Sequence, residues 1–135
     1  MNTMLNPYLH FDGTARDAIT FYQSVFGGEL ALNTYGETGA EGDLADKLMH
    51  SQLETPDGMV IMASDTPPGM TLTRGDTVNL SLSGDDDDTL RSWFALLSDG
   101  GEVHVALEKQ MWGDVFGQCA DKYGVTWLVN INQPA

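Results

Sequence analysis

An acidic residue, an aromatic residue and a Gly-Gly-Glu triplet recur in this chain at one constant offset, and that spacing limits what it can fold into. Asp12, Phe21 and Gly27-Gly28-Glu29 return 73 positions later as Asp85, Phe94 and Gly100-Gly101-Glu102. Leu30 returns as Val103, again an apolar residue. A single offset shared by a helix start, a helix face and a helix end predicts a tandem duplication of one small unit. In the first copy, Ala15, Ala18, Ile19, Tyr22, Val25 and Phe26 fall close to the i, i+3, i+4, i+7 pattern of an amphipathic helix. Thr14 with Asp17 resembles a capping box at its start, and Gly27-Gly28 ends it. In the second copy, Asp85 to Asp88 place carboxylates at the positive end of a helix that continues through Leu90, Trp93, Phe94 and Leu97.

Each helix follows one strand and precedes three. The leading strands are expected at 6–11 and 77–83, the following ones at 29–35, 47–54 and 59–63, then 102–107, 115–120 and 125–131. Pro56-Asp57-Gly58 and Asp121-Lys122-Tyr123-Gly124 are turn sequences between the last two strands of each copy. The result is a βαβββ module at about 4–65, a second at 77–132, and a linker at 66–76. Neither sheet could easily stand alone, because each needs something to cover its second face.

Composition bounds the function. The chain has 135 residues, 41% of them apolar, enough for a core. Six basic residues against 20 acidic ones give a formal charge of −14, which argues against nucleic acid and against anionic membrane surfaces. The single cysteine, Cys119, excludes an intramolecular disulfide and fits a reducing compartment. No apolar stretch approaches the roughly 18 residues of a membrane helix, and MNTMLNPYLHF does not read as a signal peptide. A cytoplasmic location is expected.

Local sequences sharpen this reading. Pro7-Tyr8-Leu9 with Phe11-Asp12-Gly13, and Phe21-Tyr22 with Val25-Phe26-Gly27-Gly28, resemble the opening of the PhnB-like branch of the glyoxalase/bleomycin resistance/dioxygenase (vicinal oxygen chelate) superfamily. Met49-His50, Met62-Ala63-Ser64-Asp65, Trp112-Gly113-Asp114 and Asp121-Lys122-Tyr123-Gly124-Val125 extend the resemblance over about 6–132. It implies an α+β glyoxalase/bleomycin-resistance fold: tandem βαβββ modules forming a curved, barrel-like mixed sheet with helices outside, in a single glyoxalase-like domain over 1–135. It also implies a homodimer. Domains of this branch often carry the name of a ubiquinone-pathway methyltransferase. No GxGxxG-like turn stands between a strand and a helix here, so no S-adenosylmethionine site is expected.

Metal-dependent members of the superfamily carry His, Gln or Glu on the cavity faces of the leading and final strands. The corresponding positions fall near Asn6, Thr77 and Leu128, and Met59-Val60-Ile61-Met62 offers no ligand in either phase. No metal and no cofactor are expected, although His10, His50 and Asp65 leave a non-standard site open. Strand alternation sets Pro7, Leu9 and Phe11 toward the helix and Tyr8 and His10 toward a cavity. It likewise groups Val78, Leu80 and Leu82 as core, leaving Asn79 inward, and groups His50 with Leu48 and Gln52. Trp112, in a loop, could lid a pocket by stacking or simply pack over the barrel end.

The expected ligand-binding residues are therefore Tyr8, His10, His50, Asn79 and Trp112, around an unknown small molecule. His50 could equally be a histidine hydrogen-bonded within the sheet. Asp65 reads as a turn-forming carboxylate, Cys119 as a small core residue, and Asp85 to Asp88 as a helix start lacking the spacing of a calcium loop. A metal-independent binding protein is the function expected. The rival is a metal-dependent or His-based enzyme, of lyase, isomerase or dioxygenase type, on a small oxygenated or aromatic substrate. A third reading is an interaction module whose cavity is vestigial.

Overall fold

The computed structural model describes residues 3–134 and divides them into two compact units, one running to Arg74 and the other starting at Gly75. The first unit contains β1 (Tyr8–Phe11), α1 (Ala15–Phe26), β2 (Glu29–Thr34), β3 (Leu48–Glu54) and β4 (Val60–Asp65), with two short 3-10 turns, Tyr35–Thr38 and Gly42–Leu44, between β2 and β3. The second contains β5 (Leu80–Gly84), α2 (Asp87–Ser98), β6 (Glu102–Lys109), β7 (Val115–Ala120) and β8 (Thr126–Ile131). Both are βαβββ modules, and the class is α+β. The sheets run β1-β4-β3-β2 and β5-β8-β7-β6, each with one parallel pair (β1 with β4, β5 with β8) and antiparallel pairs elsewhere.

The two modules hold their turns alike. A Cβ added at Gly28 would lie 2.0 Å from the Glu54 carbonyl oxygen, and one at Gly101 would lie 2.0 Å from that of Ala120. Only a residue without a side chain fits where the helix exit crosses the end of the neighbouring strand. Thr55 and Asp121 are matched too. Thr55 N–H donates to the Met59 carbonyl at 2.9 Å, and Asp121 N–H donates to that of Val125 at 2.8 Å. The Thr55 hydroxyl accepts from Met59 N–H, while the Asp121 carboxylate accepts from the N–H groups of Tyr123 and Val125 and from the Trp127 indole.

All six residues expected on the buried face of α1 are buried there, against β3 and β4. In α2 the buried set is Leu90, Phe94 and Leu97, packed on β7 and β8, with Trp93 only partly covered. On β8 the buried residues are Trp127, Val129 and Ile131, as alternation predicts. Complete burial of such side chains is worth roughly 1.5–3 kcal/mol each, so these stripes fix which face of each sheet meets its helix.

Three expectations need correction. Thr14 does not cap α1 through its side chain; the Asp65 carboxylate does, accepting from Gly13 N–H at 2.8 Å and Ala15 N–H at 2.9 Å. A buried ionised oxygen is a stronger acceptor than an exposed hydroxyl, and the β1–β4 pairing delivers it to the helix start. Second, β1 begins at Tyr8 and β5 at Leu80, so Asn6, Thr77, Val78 and Asn79 lie outside the strands. Val78 is 78% exposed rather than core, because the β5–β8 ladder begins at Leu80 opposite Trp127. Third, Leu48 is buried and does not share a face with His50 and Gln52. The β2–β3 register passes from Asn33–His50 to Thr34–Leu48, skipping Met49, and this bulge reverses the alternation.

Candidate functional site

The open face of the first module's sheet gathers the residues with chemical potential. On β1, Leu9 and Phe11 turn toward α1, which leaves Tyr8 and His10 exposed on the other side. Parallel pairing sets Tyr8 beside Met62 and His10 beside Ser64 on β4. The β3 bulge keeps His50 on this same face, in line with Gln52.

Tyr8 stands between the two histidines. Its ring centroid is 5.1 Å from that of His10 and 5.6 Å from that of His50, with interplanar angles of 32° and 39°. The Tyr8 hydroxyl lies 3.1 Å from His50 Nδ1, and the Ser64 hydroxyl 3.3 Å from His10 Nδ1. Tyr35, just past β2, borders the group: its hydroxyl donates to the Asp65 carbonyl at 2.7 Å. Burial, then the nearby Asp65 carboxylate and Tyr8, push the Tyr35 phenol above its ordinary value, so it stays protonated at neutral pH.

Asp65 itself is structural. It is 2% exposed, and besides the two N–H groups at the start of α1 it accepts from Leu48 N–H at 2.9 Å. Both carboxylate oxygens are thus engaged by the backbone of distant residues, a helix-capping role in place of the turn-forming one expected, and this removes Asp65 from any set with His10 and His50. Cys119 is also inert: it is fully buried, and burial followed by the neighbouring Asp121 charge pushes its thiol up to about 11.

The other two expected site residues belong to the second module and do not meet within it. Asn79 is exposed and precedes β5, next to the Leu80–Trp127–Cys119 end of the sheet. Trp112, 64% exposed, sits in the β6–β7 turn at the opposite, Gly84–Ile131–Val115 end, 6.0 Å from the Phe116 ring. Ser64 and Tyr35 were not foreseen. Extending β4 by two residues to Asp65 would have set Ser64 opposite His10, whereas nothing in the sequence pointed to Tyr35, whose place depends on the loop after β2.

A separate open cleft of about 400 Å³ lies at the start of α1, lined by Asp12, Asp43, Lys47, Pro67 and Met70 among others. Its inner polar groups are already spoken for, with Lys47 donating to the Gly13 carbonyl at 3.1 Å and Asp65 bound as above. Among the described residues no three His, Cys, Asp or Glu side chains come together as a group that could hold a metal ion. Both helix starts carry an acidic cap: Asp65 accepts from Ala15 N–H at α1, and Asp86 accepts from Thr89 N–H at α2.

The sequence profile of the 3-demethylubiquinone-9 3-methyltransferase family matches residues 3–130. The chain belongs to this PhnB-like family. A crystal structure of protein PA1353 from Pseudomonas aeruginosa is 32% identical and superposes with a TM-score of 0.88 over 98% of this chain and 100% of that one. The Bacillus cereus PhnB protein, described as a putative 3-demethylubiquinone-9 3-methyltransferase, is 23% identical, with a TM-score of 0.78 over 96% and 100%. A glyoxylase/bleomycin resistance protein/dioxygenase domain from Frankia is 12% identical, with a TM-score of 0.69 over 100% and 95%. The last two speak for the fold alone, and that fold is the glyoxalase/bleomycin-resistance one. No described helix of this PhnB-like chain is long and apolar enough to cross a membrane.

Proposed function

We propose that this PhnB-like protein binds a small molecule on the open face of its first module, through Tyr8, His10 and His50 and without a metal. The observation carrying this reading is the three-ring cluster itself, with Tyr8 within 5.6 Å of both imidazoles on an exposed sheet face. Aromatic rings with a few fixed polar groups are the usual lining of a small-molecule site. The activity in the family's name is not carried over, since no GxGxxG-like turn stands between a strand and a helix in this sequence. The superfamily resemblance further leads us to propose a homodimer, which a single monomeric species in sedimentation would contradict.

Thermal unfolding in the presence of a chelator tests the binding reading. A ligand at 100 times its Kd adds about 2.7 kcal/mol. Stabilisation by small aromatic compounds should therefore persist in chelator and be lost in Tyr8→Ala. Stabilisation that requires added divalent metal and disappears with chelator would instead favour the enzyme reading. Its specific support is the Tyr8–His50 hydrogen bond, a pair that could relay a proton.

A further inference from the structure

Building on that binding face, we infer that the ligand it accepts is an oxyanion-bearing aromatic or planar molecule, received by the Nε2–H groups of His10 and His50. The argument starts from two hydroxyls. Ser64 is 5% exposed, and among the described residues its hydroxyl has one partner, His10 Nδ1. A buried O–H left without an acceptor costs about 1–3 kcal/mol, so the Ser64 hydroxyl donates to His10 Nδ1. The Tyr8 phenol likewise has one partner, His50 Nδ1. A phenol is the more acidic hydrogen-bond donor of that pair, so it too donates.

A neutral imidazole accepting at Nδ1 carries its proton at Nε2. Both histidines thus hold the same tautomer, and no protein group among the described residues takes either Nε2. The face then offers two N–H donors flanking a phenol ring, with no carboxylate of the described residues in hydrogen-bond contact with any of the three. Such a surface favours an acceptor, and a charged one most, because hydrogen bonds to an anion are about twice as strong as neutral ones. The chain's charge of −14 opposes an anion only at range. It is screened beyond about 8–10 Å at ordinary salt, which leaves local donors to set the preference.

Nitrogen-15 NMR of histidine-labelled full-length protein tests the inference, with benzoate, benzyl alcohol and benzylamine as probes of one ring and three charges. The expected result is the Nε2–H tautomer at His10 and His50 without ligand. Benzoate should then shift both resonances, with an affinity at least tenfold above that of benzylamine. Tyr8→Phe should move His50 toward a mixture of tautomers and weaken benzoate severalfold, while leaving His10 in place. Nδ1–H at both positions overturns the inference, and so does equal or tighter binding of benzylamine or benzyl alcohol at these histidines; in the latter case the binding face survives. If none of the three probes moves either histidine, the inference and the binding face fall together.

Discussion

The two modules share their scaffold and differ in what they place on it. Both exit their helices through a glycine pressed against a carbonyl, and both brace the final hairpin with a side chain at the matched positions Thr55 and Asp121. Their helix starts diverge. In α1 the cap arrives from β4, where the Asp65 carboxylate ties the helix start to the start of β3, while α2 is capped locally by Asp86. The open faces diverge as well. The first carries Tyr8, His10 and His50, whereas β5 of the second offers Ser81 and Ser83. Positions fixed by backbone geometry have no substitute and recur in both modules, while the residues on the other sheet face differ between them.

Breaking the shared part should have the largest effect. Gly28→Ala and Gly101→Ala each force a methyl to 2.0 Å from a backbone oxygen. Each should destabilise by about 3 kcal/mol or more in denaturant unfolding. Gly28 should suffer somewhat more, since its φ of 108° also disfavours alanine. A mild effect at one and a severe effect at the other would break the equivalence.

The caps should separate the modules. Asp65→Ala strips three backbone N–H groups of a buried acceptor and should cost about 2–4 kcal/mol. Asp86→Ala removes an exposed local cap and should cost about 1 kcal/mol. Equal losses would mean that Asp65 is no more than a cap.

Smaller effects sharpen the picture of the second module. With its thiol pushed up to about 11, Cys119 should resist a disulfide reagent at pH 8 in native protein and react fully once unfolded. Rapid native labelling would place Cys119 outside the core. Asp114 accepts from the Asn130 amide and Gln133 N–H, which lowers its carboxyl below the ordinary range. A depressed folded value contributes stability above the unfolded one, lost as pH falls through the folded one. The deficit of Asp114→Asn against wild type, measured as Tm, should be small at neutral pH and shrink on acidification.

Much of this fold was legible because its signals are local and periodic. Six apolar residues at helical spacing defined the buried face of α1, and alternation placed Tyr8, His10, Trp127 and Val129 on their proper sides. What escaped depended on distant partners. No helix start announces a cap supplied from 50 residues away, as Asp65 supplies one to Ala15. A bulge at Met49 turned Leu48 inward without any glycine to mark it, and Val78 has strand-like sequence but no ladder to join. The candidate face was legible only in part for the same reason. Tyr8, His10 and His50 could be traced through strand phase, but Ser64 needed the end of β4, and Asn79 with Trp112 needed positions along a sheet that pattern alone does not supply.

The chain's third histidine offers a control for the claim that chemistry resides in the first module. His104 lies on β6 of the second module, beside Glu102. A fragment screen in chelator, read through the ring-proton signals of His10, His50 and His104, compares the modules in one sample. Shifts confined to His10 and His50 are the predicted result. Hits that move His104 while leaving the other two unchanged would contradict it.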